Sequence, residues 1–110
     1  MANDKCTNGK MNTSQYPMDI SVCTSDDTMN VNLSVEVYDP NQGYTTSITA
    51  TLQRANKYEA WAEDVMTKNG SIYASGQKHI TFENIGKKGL PVRVKVVTNF
   101  GTFYSATWIR

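Results

Sequence analysis

Hydrophobic and polar residues alternate along most of the chain after its first 17 residues. The clearest case is residues 31–38, where Val31, Leu33, Val35 and Val37 alternate with Asn, Ser, Glu and Tyr. Successive side chains of a β-strand point to opposite faces of a sheet, so this period predicts a strand with one dry face and one wet face. The same pattern predicts further strands at residues 18–22, 44–52, 78–83, 92–96 and 102–108.

The segment of residues 55–67 is compatible with either a short helix or a strand. A turn just after it favours the strand, because Asn69-Gly70 is the preferred pair for a two-residue hairpin loop. That hairpin would place Val65 opposite Ala74, and residues directly opposite share a face. We therefore predict a strand in this segment. Its apolar face would consist of Trp61, Val65, Ile72 and Ala74.

The last predicted hairpin turns around Gly101, and the length of its loop decides which residues face each other. A three-residue loop opposes apolar residues to apolar or small ones, whereas a two-residue loop at Phe100-Gly101 opposes them to Ser and Thr. The longer loop also places Gly101 at the left-handed position that such hairpins require. We therefore predict three opposed pairs, which are Val96 with Tyr104, Val94 with Ala106, and Val92 with Trp108.

Short strands separated by frequent turns are typical of a β-sandwich or a small barrel. The chain has 110 residues, which suits one domain, and it carries seven or eight such strands. We predict an all-β, single-domain antiparallel β-sandwich of the Ig-like kind at residues 18–110. Residues 1–17 are mostly polar and contain the turn pair Asn8-Gly9, so we predict that they form an N-terminal arm.

The chain contains two cysteines, Cys6 and Cys23. An even number of cysteines in a short chain is typical of a disulfide, and this one would tie the arm to the first strand. The alternative is a pair of reduced thiols, as in most cytosolic proteins. We predict the disulfide, and with it a secreted, extracellular protein.

The net charge of the chain is +1, from 11 basic and 10 acidic residues. So small a charge does not attract nucleic acid or an anionic membrane over a distance. No stretch approaches the roughly 20 apolar residues that a transmembrane helix needs. We therefore expect neither a nucleic-acid partner nor membrane insertion.

Three segments in the last two-thirds of the chain carry a resemblance to a known group of proteins. The strand at residues 48–54 ends in Thr-Leu-Gln-Arg and leads to Trp61. Residues 88–98 contain a glycine followed by Val-Arg-Val-Lys-Val, and residues 102–108 form a Ser- and Thr-rich terminal strand. Together they resemble small secreted proteins of Gram-positive bacteria with Ig-like or fibronectin-like sandwiches. The resemblance implies a β-sandwich and secretion, and it implies no functional residues.

Few residues of the chain could carry catalysis. The only histidine, His79, alternates with Ile80 and is predicted to be exposed. A Ser-His-Asp or Cys-His arrangement would require this histidine, and its neighbours in sequence supply neither a nucleophile nor a carboxylate. No glycine motif for phosphate occurs. We therefore expect a protein that is not an enzyme and has no cofactor.

Carboxylates in loops are the candidate metal ligands. Asp26, Asp27 and Asp39, with Asn41 nearby, supply the oxygen atoms that calcium prefers. Their spacing is not that of an EF-hand, and Asp and Asn in turns usually bond to the backbone. We predict that they shape turns and that the protein has no metal site.

Aromatic residues on wet strand faces and at turns are the candidate binding residues. They are Tyr38, Tyr73, Phe100 and Phe103. If they align, they would form a strip that stacks on a sugar or contacts a protein. Our leading hypothesis is a secreted, non-catalytic protein that binds a protein or a cell-surface glycan.

Two alternative functions remain open. The first is a structural subunit of an extracellular assembly, in which the arm adds a strand to a neighbouring copy. The second is a secreted antimicrobial protein or enzyme inhibitor, with Phe100 or the loop at residues 86–91 as its contact.

Overall fold

The computed structural model describes residues 5–57 and 60–110, which form two antiparallel sheets packed face to face. The predicted all-β sandwich is confirmed, although the described residues form nine strands where seven or eight were predicted. The strands are β1 (Lys5–Asn12), β2 (Pro17–Asp26), β3 (Val31–Tyr38), β4 (Thr45–Ala55), β5 (Trp61–Tyr73), β6 (Gly76–Phe82), β7 (Pro91–Thr98), β8 (Gly101–Tyr104) and β9 (Trp108–Ile109).

The strands divide between a four-stranded and a five-stranded sheet. The order of the four-stranded sheet is β1-β2-β3-β6. The order of the five-stranded sheet is β5-β4-β7-β8, and β9 also pairs with β7. The chain crosses from one sheet to the other after β3, after β5 and after β6, so residues distant in sequence meet on each outer face.

The hydrophobic core lies between the sheets, on the faces that the alternation predicted. Val31, Leu33, Val35 and Val37 of β3 are each at most 2% exposed. Burying such a side chain contributes about 1.5–3 kcal/mol, so one face of β3 supplies a large share of the driving force. Further buried side chains from both sheets are Ile20, Val22, Ile48, Leu52, Phe82, Val92, Val94 and Val96.

Residues 5–12, predicted to be part of a polar arm, form the edge strand β1. All eight residues pair with β2, and Cys6 lies directly opposite Cys23. These two cysteines form the predicted disulfide, with Cα atoms 4.0 Å apart. The sequence pattern missed this strand because only Met11 on its inward face is a buried hydrophobic residue. Residues 1–4 of the predicted arm lie outside the described part of the chain.

The strand preferred for residues 55–67 is confirmed from residue 61 onwards, while residues 58 and 59 lie outside the described part. Trp61, however, does not share a face with the buried Ile72. The pairing of β4 with β5 has two register irregularities, one before Gln53 and one after Arg54. Each irregularity reverses the alternation of faces, so the two cancel. Trp61 stands an odd number of positions before Ile72 in the continuous strand β5, and it therefore lies on the outside of the sandwich.

The predicted hairpin at Asn69-Gly70 is wrong. β5 continues through these residues, and Asn69 lies opposite Thr49 of β4. Pairing along the whole of an 11-residue β4 forms more hydrogen bonds than a short hairpin can, so the local turn preference is overridden. The chain turns instead at Ala74, whose φ of 57° lies in the left-handed region.

The predicted pairing of Val96 with Tyr104 is also wrong. Only Asn99 and Phe100 separate β7 from β8, so Val96 lies opposite Phe103. The side chain of Asn99 holds this short turn against β4, because it accepts a bond from one backbone N–H and donates to one carbonyl of that strand. As a result Phe103 faces inward and Tyr104 faces outward.

The pairing of Val92 with Trp108 agrees with the prediction. The register therefore changes by one residue between β8 and β9. Ser105 lies in this irregular stretch and bonds to Val94 through both its backbone N–H and its hydroxyl. The predicted pair of Val94 with Ala106 is replaced by this contact.

Candidate functional site

The four predicted binding aromatics do not form one strip. Tyr38 and Tyr73 are exposed, at 56% and 73%, but they lie at the ends of β3 and β5 in different sheets. Each therefore stands on a separate outer face of the sandwich.

Phe100 and Phe103 are partly buried and pack against the core. The ring of Phe100 lies edge-on to Tyr44, with 5.3 Å between the ring centres. The ring of Phe103 covers Gly9, where an added Cβ would lie 3.1 Å from the ring. The outward direction predicted for these two residues is wrong, because the two-residue turn rotates this segment toward the interior.

The carboxylate of Asp39 is fully buried and organises a turn, as predicted for the loop acids. It accepts hydrogen bonds from the Tyr16 hydroxyl, at 2.7 Å, and from the backbone N–H groups of Asn41, Gly43 and Tyr44. Burial favours the neutral acid, but these bonds outweigh it, so the pKa of Asp39 lies below its usual 3.8. Burial and the bond to Asp39 raise the pKa of Tyr16 to about 12.

The other loop acids are also engaged with the protein. Asp27 accepts bonds from the backbone N–H groups of Asn30 and Met29, which hold its pKa below the usual value. Asp26 accepts a bond from Arg110. In the part of the chain that the structure describes, no group of three or more acidic, His or Cys side chains could hold a metal ion.

A different cluster stands out on the outer face of the five-stranded sheet. The guanidinium of Arg93 lies 4.1 Å from the ring centre of Trp61 and 4.3 Å from that of Tyr104. We call these three residues the arginine stack. Each cation–π contact contributes about 0.5–2 kcal/mol, depending on how far water is excluded. Strands β5, β7 and β8 each supply one residue, so only the folded sheet assembles the cluster.

Two neighbouring side chains orient Arg93. Gln53 of β4, only 8% exposed, accepts a bond from Arg93 Nε at 3.0 Å. The amide nitrogen of Gln53 in turn donates to Asp64 Oδ1 at 3.1 Å. This relay fixes which atom of Gln53 faces the guanidinium, and it anchors Arg93 Nε to β4.

The two terminal nitrogens of Arg93 remain available to a ligand. No hydrogen bond or ion pair between described residues uses either of them, whereas Nε is bonded to Gln53. A guanidinium with both nitrogens free can bind a carboxylate through two parallel bonds. Its neighbour on the same face of β7 is Lys95, so two cations stand against the one carboxylate of the relay, Asp64. The local charge therefore favours an anionic group.

The rim of the arginine stack is partly apolar. Ile109 of β9 is 64% exposed and Val97 of β7 is 39% exposed. Along β4 the same outer face presents hydroxyl groups, and Thr51 and Thr67 bond to each other at 3.0 Å. On this face the arginine stack is thus surrounded by exposed apolar side chains and by small hydroxyl side chains.

Sequence reasoning missed all three residues of the arginine stack. The predicted hairpin directed Trp61 inward, and the predicted register opposed Tyr104 to the buried Val96. One observation did point to Arg93, because it stands between two inward valines and must face outward. Nothing in the sequence indicated that two aromatic rings would enclose it.

The chain was compared with protein-family models, with curated proteins and with solved structures, and none of them matches it. The described residues contain no helix that could span a membrane.

Proposed function

We propose that this protein is an extracellular, non-catalytic binding protein that recognises a protein partner through the arginine stack. The observation that carries the proposal is the enclosure of Arg93 between Trp61 and Tyr104. Trp, Tyr and Arg are the residue types most enriched among those that dominate binding energy in protein interfaces. Their clustering on a sheet face favours a protein over a glycan as the partner of this site.

The ordered position of the Arg93 side chain lowers the entropic cost of binding. Ordering a long side chain in an interface costs about 0.5–1.5 kcal/mol. Arg93 is already ordered by two rings and by Gln53, so most of that cost is met during folding. The partner would present a carboxylate to the free nitrogens of Arg93 and an apolar surface to the rim.

Other features support the extracellular and Ig-like parts of the proposal. The Cys6–Cys23 disulfide is typical of oxidising compartments. Ig-like domains of seven strands have four strands in one sheet and three in the other. If the added edge strand β1 is set aside, β2-β3-β6 face β5-β4-β7-β8 here. This order is compatible with an Ig-like arrangement in which one strand of the larger sheet has moved to the smaller one. Both features fit the resemblance to small secreted proteins of Gram-positive bacteria.

The positions of the reactive groups support a non-catalytic role. His79 is exposed on β6, and Asp26, Asp27 and Asp39 are used in structural hydrogen bonds. The two alternative functions have less support. Residues 5–12 are already paired within their own sheet, and Phe100 packs against the protein instead of projecting from it.

The experiment is a capture assay with immobilised protein and the growth medium and surface extract of the cells that produce it. Wild type is compared with Arg93→Ala and with Thr49→Ala, an exposed control on the same face. We expect a partner whose affinity falls about 30-fold or more in R93A and stays unchanged in T49A. Partners that bind R93A as tightly as wild type would contradict the proposal.

A further inference from the structure

The outer face of the four-stranded sheet contains an open trough of about 810 Å³. Its floor is the backbone around Ile20 and Val37, whose side chains are buried beneath it in the core. β6 begins at Gly76, opposite Val37, so the sheet loses its fourth strand at this level. Tyr38 then stands beside a step in the sheet, and the step makes the surface concave.

The walls of the trough are polar, apart from one aromatic ring. Asn8, Ser21 and Glu36 lie opposite one another on β1, β2 and β3. Neighbouring strands are about 4.8 Å apart, so an amide, a hydroxyl and a carboxylate form a row about 10 Å long. Tyr38 follows Glu36 on the same face of β3, and its ring is 56% exposed. We call this site the Tyr38 trough.

Two groups of this row and the Tyr38 hydroxyl are free to bind a ligand, while the Ser21 hydroxyl makes a weak hydrogen bond with Cys23 Sγ at 3.7 Å. No hydrogen bond between residues of the described ranges uses the Asn8 amide, the Glu36 carboxylate or the Tyr38 hydroxyl. Lys10 is different, because it forms an ion pair with Asp19 on the adjacent strand. The trough therefore offers donors and acceptors around an aromatic ring, and Lys10, the one cation among its described lining residues, is already neutralised.

The charge of the trough selects among ligand classes. Among the described residues one lysine and two carboxylates line it, so their formal charges sum to −1. This charge repels phosphate, sulfate and uronate groups. A neutral saccharide fits better, because its hydroxyls can both donate to Glu36 and bond with Ser21 and Asn8. Its apolar C–H face can stack on the ring of Tyr38.

We propose that the Tyr38 trough binds a neutral saccharide, with Tyr38 stacked on a sugar ring and the Asn8–Ser21–Glu36 row bonded to its hydroxyls. This site goes beyond the proposed protein-binding function, since it uses the opposite sheet. A protein partner at the arginine stack and a saccharide at the Tyr38 trough can be bound together. Such a molecule would link a protein to a carbohydrate surface.

The test is a titration of the isotope-labelled protein, followed by NMR, with neutral hexasaccharides of the cellulose, chitin, starch, mannan and laminarin types. A hexagalacturonate serves as the acidic control. We expect at least one neutral hexasaccharide to bind with a Kd of about 1 mM or lower. The shifted amides should include those of Asn8, Ser21, Glu36 and Tyr38.

Two substitutions test the residues. Tyr38→Ala should weaken binding about tenfold, and Glu36→Gln should weaken it about threefold because one strong acceptor is lost. Tyr73→Ala, which removes an exposed ring on the other sheet, should leave the affinity unchanged. The proposal is overturned if none of the neutral hexasaccharides binds at about 10 mM. It is also overturned if the acidic one binds more tightly, or if both Y38A and E36Q bind as wild type does.

Discussion

The side chain of Arg110 is fully buried and joins two loops to the end of β9, so replacing it should destabilise the protein strongly. One terminal nitrogen bonds to Asp26 Oδ2 at 2.8 Å and to the Asp27 carbonyl at 2.7 Å. The other bonds to the Ile85 carbonyl at 2.7 Å and to the Thr28 carbonyl at 3.4 Å. Arg110→Met keeps much of the volume and removes the charge and all of these donors.

The size of the destabilisation follows from the burial of the ion pair between Arg110 and Asp26. The side chains of Arg110 and Asp26 are 0% and 13% exposed. Removing one partner of a buried pair leaves an uncompensated charge and costs about 3–5 kcal/mol. A domain of this size is stable by about 5–15 kcal/mol, so the loss is a large fraction of the total. At about 4 °C per kcal/mol, the Tm should fall by roughly 12–20 °C.

The assay is urea unfolding followed by circular dichroism. The m-value, which is the dependence of the unfolding free energy on urea concentration, should be the same in the variant and the wild type. The matched control is Lys68→Met, which breaks the exposed pair with Glu83, 37% and 65% exposed. Exposed pairs contribute about 0–1 kcal/mol. Adding Asp26→Asn to R110M should recover part of the loss, because the unpaired charge is then gone. The reasoning is refuted if R110M costs no more than K68M.

Two further predictions concern the disulfide and the buried acid. Replacing Cys6 and Cys23 together by Ser should lower the free energy of unfolding by about 3 kcal/mol, because the bridge closes a loop of 17 residues in the unfolded chain; a loss below about 1 kcal/mol in urea unfolding would contradict this. The lowered pKa of Asp39 means that its stabilising contribution is present above pH 3.8 and is lost as the pH falls below that value. The pKa of Tyr16, raised from 10.0 to about 12, means that its contribution is present below pH 10 and is lost as the pH rises through 12. Urea midpoints measured across pH should therefore fall less steeply in acid for Asp39→Asn than for the wild type, and less steeply in alkali for Tyr16→Phe. A pH dependence equal to that of the wild type would contradict the contributions assigned to Asp39 and Tyr16.

The fold class was predictable because alternation is a local property. Val31, Leu33, Val35 and Val37 repeat with period two, and a strand with that period has one choice of buried face. The cysteine count likewise predicted the disulfide without any knowledge of strand pairing. The edge strand β1 was not predictable in this way, because its inward positions are mostly small or polar and only its pairing with β2 makes it a strand.

Local turn preferences were less reliable than alternation. Asn69-Gly70 favours a hairpin in isolation, yet pairing along β4 keeps both residues inside β5. At the last hairpin, bonds from Asn99 to β4 select a two-residue turn and reverse the faces of Phe103 and Tyr104. In both cases the deciding contacts come from a strand that is distant in sequence.

The sequence by itself determined an all-β chain with a dry interior, a cysteine pair and few reactive groups. Tertiary structure alone decided the candidate sites. Trp61, Arg93 and Tyr104 meet because three strands lie in one order and one register, and a shift of one residue would move a side chain to the opposite face. The Tyr38 trough likewise exists only where β6 begins, opposite Val37 of β3. Register and strand order depend on the summed pairing energy of whole sheets, which no local window of sequence contains.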